Sequence, residues 1–499
     1  MPEDVILALD EGTTGVTALL VDHGGRVRAR GYREITQHYP QPGWVEHDAE
    51  EIWQRTLEAV GDAPTSAPDC GPVAVGITNQ RETMLFWDRR TGEPCHRAVV
   101  WQCRRSAGIC EELRAAGLEP EISRKTGLRL DPYFSGTKAL WLLRENAALR
   151  ARAAAGEICF GTIDSWLLWK LTGGAVHATD VTNASRTLAF DIERLDWDDE
   201  LLALFGLNRG VMPEVLPSSH VYGSTVACGA LPSGLPIASM AGDQQAALFG
   251  QRCFEEGFVK ATYGTGCFIL THTGQKPVRS AGGLLTTVAA TTKPGAKRYA
   301  MEGAIFIAGA ALQWCRDNLG LIASSSEGAE LAASVDDSGG VVFVPAFVGL
   351  GSPHWGPDAR GAIFGLTGAS TKAHLVRAAL ESIVFQAQDV IETMGAGNTV
   401  LRELRVDGGA AANDMLMQMQ ADLSGRPVVR PTSIEATAMG AAYLAGLATG
   451  FWQDEAALLS LPEETTRFEP GRGAEAARRA YERWKLAVRG LLATELPPA

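Results

Sequence analysis

A chain of 499 residues, 46% of them apolar and 21% charged, is too long for one ordinary core and too apolar to be disordered, so about two domains with room for a cleft between them are expected. A formal net charge of -13 works against a binder of nucleic acid or of anionic membranes. Nine scattered cysteines without a CxxC pair fit a reducing cytosol, and no apolar run reaches the roughly 18 residues that a membrane span needs. The opening MPEDVILALD is acidic where a secretory leader is basic, and the closing ELPPA carries no lipidation signal, so neither kind of targeting is expected.

The first element, LALDEGTTGVTALLVD at 7–22, reads as strand, Gly-Thr turn, strand. Backbone N–H groups and the hydroxyls of Thr13 and Thr14 beside Gly15 can converge on an anion, or the turn can be an ordinary hairpin; no GxxxxGK[ST] P-loop occurs. Asp10 is either a turn-stabilising carboxylate or one that orients Mg²⁺ near phosphates. Residues 48–60 have helical periodicity, and 71–94 form a β-rich stretch broken by polar residues, with Arg81 and Glu82 at a strand end. Helices are predicted over 136–155 and over 164–174, the second closed by glycines. ASMAGDQQAALFG at 238–250 places Asp243, Gln244 and Gln245 ahead of an apolar helix. Asp243 either caps that helix or accepts a proton, with Gln244 and the Arg81/Glu82 pair binding the hydroxyls of a small polyol.

At 257–274 the pattern restarts: GFVKATYGTGCFILTHTG is again strand, Gly-Thr turn, strand, a weak internal repeat of the opening. A helix follows over 376–394, then strand, glycine turn and helix over 401–425, and a small-residue helix over 436–450 whose composition suggests close packing. The tail, 473–496, is amphipathic and reads as a terminal surface helix. Three glycine turns alternating with strands point to nucleotide phosphates. The histidines show no ligand spacing, and the tryptophans of VVWQCRR and PHWGPDARGAIFGL read as core.

Taken together, DEGTTG, GITNQRET, VVWQCRR, DPYFSGTKALW, AGDQQAALFG, YGTGCF, VPAFVGLGSPHWGPDARGAIFGLT and VDGGAAAND, in this order, resemble the FGGY carbohydrate kinases, and within them the kinases of glycerol. The resemblance implies an α/β fold of two actin-like (ribonuclease-H-like) domains with an active-site cleft between them. The expected boundaries are 1–251 for polyol and phosphate binding and 252–499 for the adenine nucleotide. It implies ATP-dependent phosphorylation of glycerol with Mg²⁺, in a cytoplasmic homodimer or homotetramer. Carried over position by position, Arg81, Glu82, Tyr133, Asp243 and Gln244 bind glycerol, with Asp243 the base. Thr13, Thr14, Gly15, Thr265, Gly309, Gln313, Gly409 and Asn413 bind ATP, and Asp10 faces Mg²⁺.

The sequence departs from this pattern in its first turn, where Thr17 stands in place of an arginine, Gly15 in place of serine and Glu11 in place of glutamine. The loop CGALPSGLPIAS also lacks the Gly-Gly-Thr-Arg run that binds fructose 1,6-bisphosphate in regulated relatives, so that inhibition is not expected. Two other readings remain: another sugar or polyol kinase, and a glycerol-binding sensor that has lost catalysis.

Overall fold

The computed structural model describes residues 2–396, 400–432 and 435–494; the ELPPA end lies outside them. Its frame is two mixed sheets of the same design. In the first, β1 (Glu3–Glu11), β2 (Gly15–Val21) and β3 (Val27–Glu34) form an antiparallel meander; β1 then runs parallel to β4 (Cys70–Asn79), which is followed across the sheet by β6 (Pro236–Gly242) and β5 (Ser219–Ser224). In the second, β7 (Val259–Tyr263), β8 (Cys267–Gly274) and β10 (Tyr299–Ile305) repeat the meander, with β9 (Leu285–Val288) outside them. The parallel neighbours of β7 are β11 (Leu404–Asp407) and β12 (Val428–Pro431), and β13 (Thr465–Phe468) closes the edge. The echo between 7–22 and 257–274 is this repeated hairpin.

The continuous apolar run of β1 follows from burial on both faces, the situation that favours unbroken rather than alternating hydrophobicity. Helix α1 (Ala49–Ser66) covers one face with Ile52, Trp53, Ala59, Val60 and Ala63. Asp48 starts it by accepting the N–H groups of Glu50 and Glu51 at 2.9 and 3.2 Å. The other face is covered by α2 (Asp243–Gly250) and, from the far end of the chain, α6 (Ala436–Thr449). Three further helices belong to the second sheet's half: α3 (Gly309–Asp317), α4 (Lys372–Gly395) and α5 (Asp414–Ser424). The terminal α7 (Ala474–Leu492) buries Tyr481, Trp484, Val488 and Leu491.

The small-residue composition of α6 lets it cross α2 with backbone against backbone. A Cβ on Gly440 would lie 1.9 Å from the carbonyl oxygen of Ala246, and one on Gly250 would lie 1.9 Å from that of Ala436. Only glycine fits at either position.

One predicted element differs. The helix expected over 136–155 is two, Ser135–Glu145 and Ala147–Ala154. Asn146 breaks it with an extended backbone and caps the second helix by accepting the N–H of Leu149 at 2.9 Å. All nine cysteines are unpaired, and among the described residues no helix is long and apolar enough to cross a membrane.

Candidate active site

The carboxyl ends of three adjacent strands deliver the polar cluster, the place where open α/β sheets bind ligands. β1 ends in Asp10 and Glu11, β4 leads into Arg81 and Glu82, and β6 leads into Asp243 and Gln244. Arg81 holds the cluster together. Its Nε lies 3.1 Å from Asp243 Oδ1, its Nη1 donates to Glu302 at 2.5 Å and to Gln245 at 3.1 Å, and its Nη2 donates to the Tyr133 hydroxyl at 3.3 Å. Arg186 mirrors it, donating to Glu82 at 2.5 Å and to Glu302 at 2.8 Å.

These four charges are removed from water, with side-chain exposures of 1% for Arg81, 2% for Glu82 and 0% for both Arg186 and Glu302. Such burial is tolerable only because the charges alternate. Burial alone would raise the carboxyl of Glu302, yet Arg186 and Arg81 hold it down at about 2. Glu82 is raised by burial, against the pull of Arg81 and Arg186. It also adopts a left-handed backbone with φ of 61°, a conformation that costs a residue with a side chain about 1–2 kcal/mol.

Asp243 differs from its neighbours by keeping 27% of its side chain open to the cleft. It is the first residue of α2 rather than its cap: the cap position is Gly242, and the carboxylate accepts the N–H of Gln244 at 2.7 Å while facing Arg81. Burial raises its pKa, opposed by Arg81 and Lys260. Lys260, wholly buried on β7, reaches from the second sheet to Gln244 Oε1. Because an ammonium group only donates, the Gln244 oxygen is committed to it and the NH₂ is left to donate to a ligand.

Tyr133 is set from below by Lys138, whose buried ammonium donates to the carbonyls of Pro132 and Tyr133. Trp101 packs edge-on against Tyr133 with ring centroids 5.6 Å apart and donates its indole N–H to Thr13 Oγ1 at 2.9 Å. The five predicted polyol residues are thus one cluster, and Trp101 ties the first turn to it.

That turn is closed by the Gly12 N–H donating to Gly15 O at 3.0 Å. Asp10, half-buried, has its carboxyl raised to about 8 by burial first, then by Asp243 and Glu435. On the second sheet, Thr265 O accepts the N–H groups of Ala308 and Ala310, and Gly264 O accepts that of Gly309, so the second turn sits on the N-terminus of α3. The third turn comes up against it: a Cβ on Gly309 would be 3.8 Å from that of Ala410. A Cβ on Gly409 would meet open space, and Asn413 caps α5 by accepting the N–H of Leu416 at 3.1 Å. Gln313 lies exposed one turn along α3 from Gly309. Thr265, Gly309, Gly409 and Asn413 therefore gather around the two second-sheet turns, while Thr13, Thr14 and Gly15 stand on the first sheet.

The sequence reading passed over Arg186, Glu302, Lys260 and Lys138. Each is a lone charge in an apolar or small-residue stretch, the signal that singled out Arg81, Glu82 and Asp243.

Two mixed sheets with a glycine turn on each, and a polar floor of alternating charges where they meet, define an actin-like carbohydrate kinase. The chain matches the N-terminal domain of the FGGY family of carbohydrate kinases over residues 5–250 and the C-terminal domain over residues 259–449, and it belongs to that family. Its relatives include the glycerol kinase of Carboxydothermus hydrogenoformans, 52% identical over 98% of each chain. They also include that of Trichlorobacter lovleyi, 55% identical over 97% of this chain and 98% of the relative. The solved structure of Plasmodium falciparum glycerol kinase with ADP is similar at a TM-score of 0.91 and 34% identity over 99% of both chains.

Proposed function

We infer that this chain transfers the terminal phosphoryl group of ATP to glycerol, giving sn-glycerol 3-phosphate and ADP, the first step of glycerol catabolism. The observation that carries the reading is Asp243. A water-free frame of alternating charges ends in one carboxylate that is open to the cleft, beside a tyrosine hydroxyl and an amide whose NH₂ is free to donate.

In this reading Arg81, Glu82, Tyr133, Asp243 and Gln244 bind the hydroxyls of glycerol. Asp243, its basicity raised by burial, takes the proton of the attacked hydroxyl as that oxygen bonds to the γ-phosphorus and ADP departs. The N–H groups and hydroxyls of Thr13, Thr14, Gly15, Thr265 and Gly409 hold the phosphates, and Gly309, Gln313 and Asn413 border the nucleotide. Asp243 and Glu435 add to the cost of charging Asp10, which makes Asp10 a fitting partner for a divalent cation. Mg²⁺ bound there would neutralise phosphate charge. Closure of the two halves, with 1–251 carrying polyol and phosphate and 252–499 the adenine nucleotide, excludes the water that would hydrolyse ATP. The working form is a cytoplasmic homodimer or homotetramer.

The test is ADP release across a panel of polyols and sugars, with glycerol turned over most efficiently. Asp243→Asn should lose about 10² to 10⁴-fold in kcat, with nucleotide binding retained. Wild-type turnover in that variant would refute the assignment.

A further inference from the structure

The first phosphate turn contains no lysine or arginine, but its sheet places one close by. The strand register sets Asp10, Thr17 and Tyr32 in one row across β1, β2 and β3, and Ala8, Leu19 and Arg30 in the next row on the same face. This is the face that α6 covers. Arg30 leans toward the turn, its guanidinium 5.1 Å from the centre of the Tyr32 ring. Its Nε lies 3.0 Å from Glu435 Oε1, at the N-terminal end of α6. The Tyr32 hydroxyl carries the contact onward to the turn itself: a Cβ on Gly15 would lie 2.6 Å from it, so the tyrosine occupies the space that glycine leaves. One aromatic ring therefore separates the Arg30 guanidinium from the backbone that receives the phosphates.

Arg30 remains 47% exposed, so its pairing with Glu435 is a weak surface interaction, and a phosphate offers a stronger, bidentate partner to the same guanidinium.

Building on the kinase reading, we propose that Arg30, carried on β3 and guided by Tyr32, is the cation of the first phosphate turn, exchanging Glu435 for the terminal phosphate of bound ATP. Thr17 is then a position from which the positive charge has moved one strand across. Arg30 touches the transferred group in this account, and Tyr32 is a positioning residue.

Glycerol-dependent ADP release tests the proposal in Arg30→Met, Glu435→Gln and the double variant Arg30→Met/Thr17→Arg, with thermal melting followed in parallel. Arg30→Met should lower kcat/KM for ATP about 10- to 100-fold, leave the KM for glycerol in place and melt as the wild type does. Thr17→Arg should restore most of that loss by returning a guanidinium to the turn. Glu435→Gln, which frees Arg30, should not reproduce it, whereas an ion pair that merely fastened α6 to β3 would make the two single variants equivalent. Wild-type kinetics in Arg30→Met, failure of Thr17→Arg to rescue, or equal losses in the two single variants would each overturn the role of Arg30. A wild-type chain without glycerol-dependent turnover would instead overturn the kinase reading on which it rests.

Discussion

Glu302 in the charged floor and Glu11 beside the first turn are both shut away from water, at 0% and 1% exposure, and respond in opposite directions. Glu302 meets two guanidinium groups, and its carboxyl falls to about 2 despite burial. Glu11 meets one hydroxyl, Thr56 donating to Oε1 at 2.8 Å, and its Oε2 has no partner. Burial pushes it up to about 8, with Asp10 adding to the rise. The floor is a set of matched charges that hold one another rigidly. The turn is built from backbone and hydroxyl groups and relies on charge brought from elsewhere.

The largest expected effect breaks the matched side. Glu302→Gln leaves Arg81 and Arg186 short of a carboxylate, and denaturant unfolding should show a loss of about 3–5 kcal/mol. A loss below about 1 kcal/mol would mean that the floor does not depend on charge alternation.

Glu11→Gln addresses the unmatched side. The folded-state pKa of Glu11, about 8, lies above its ordinary value of 4.5, so the folded chain keeps a proton that the unfolded chain releases. Its contribution to stability is complete below pH 4.5 and is lost as the pH rises through 8. Denaturant unfolding should therefore show the variant more stable than the wild type at pH 8–9, by at least about 1 kcal/mol, and nearly alike at pH 5. A difference that does not vary with pH would count against an unmatched carboxylate. Glu302 has the opposite sign, its contribution present above pH 4.5 and lost as the pH falls toward 2.

The smallest effect concerns orientation. Lys260→Met frees the Gln244 oxygen to turn toward the ligand, and the KM for glycerol should rise about 10-fold with the KM for ATP unaltered, the cost of one misdirected hydrogen bond. Equal changes in both constants would point to a general loosening of the cleft.

Local pattern was enough for the hairpin at 7–22, its repeat at 257–274, and the charges Arg81, Glu82, Asp243 and Gln244, because each sits at a turn or strand end where a polar residue interrupts an apolar run. The supports were hidden by distance along the chain. Arg81 and Glu302 are 221 positions apart and meet only because the two sheets face each other. Arg30 looks like a solvated charge on an edge-facing strand until the register places it beside Tyr32 and Asp10's row. The break at Asn146 was missed because helical periodicity continues on both sides of it, while the cap depends on a side-chain hydrogen bond that periodicity does not encode.

The crossing of α2 and α6 has a mechanical consequence. With Gly440 set on the Ala246 carbonyl and Gly250 on that of Ala436, no side chain cushions the junction. Sliding one helix along the other by even a fraction of an ångström would drive a carbonyl into a Cα. The junction therefore pins α6, which arrives from the far end of the chain, to the helix that begins with Asp243.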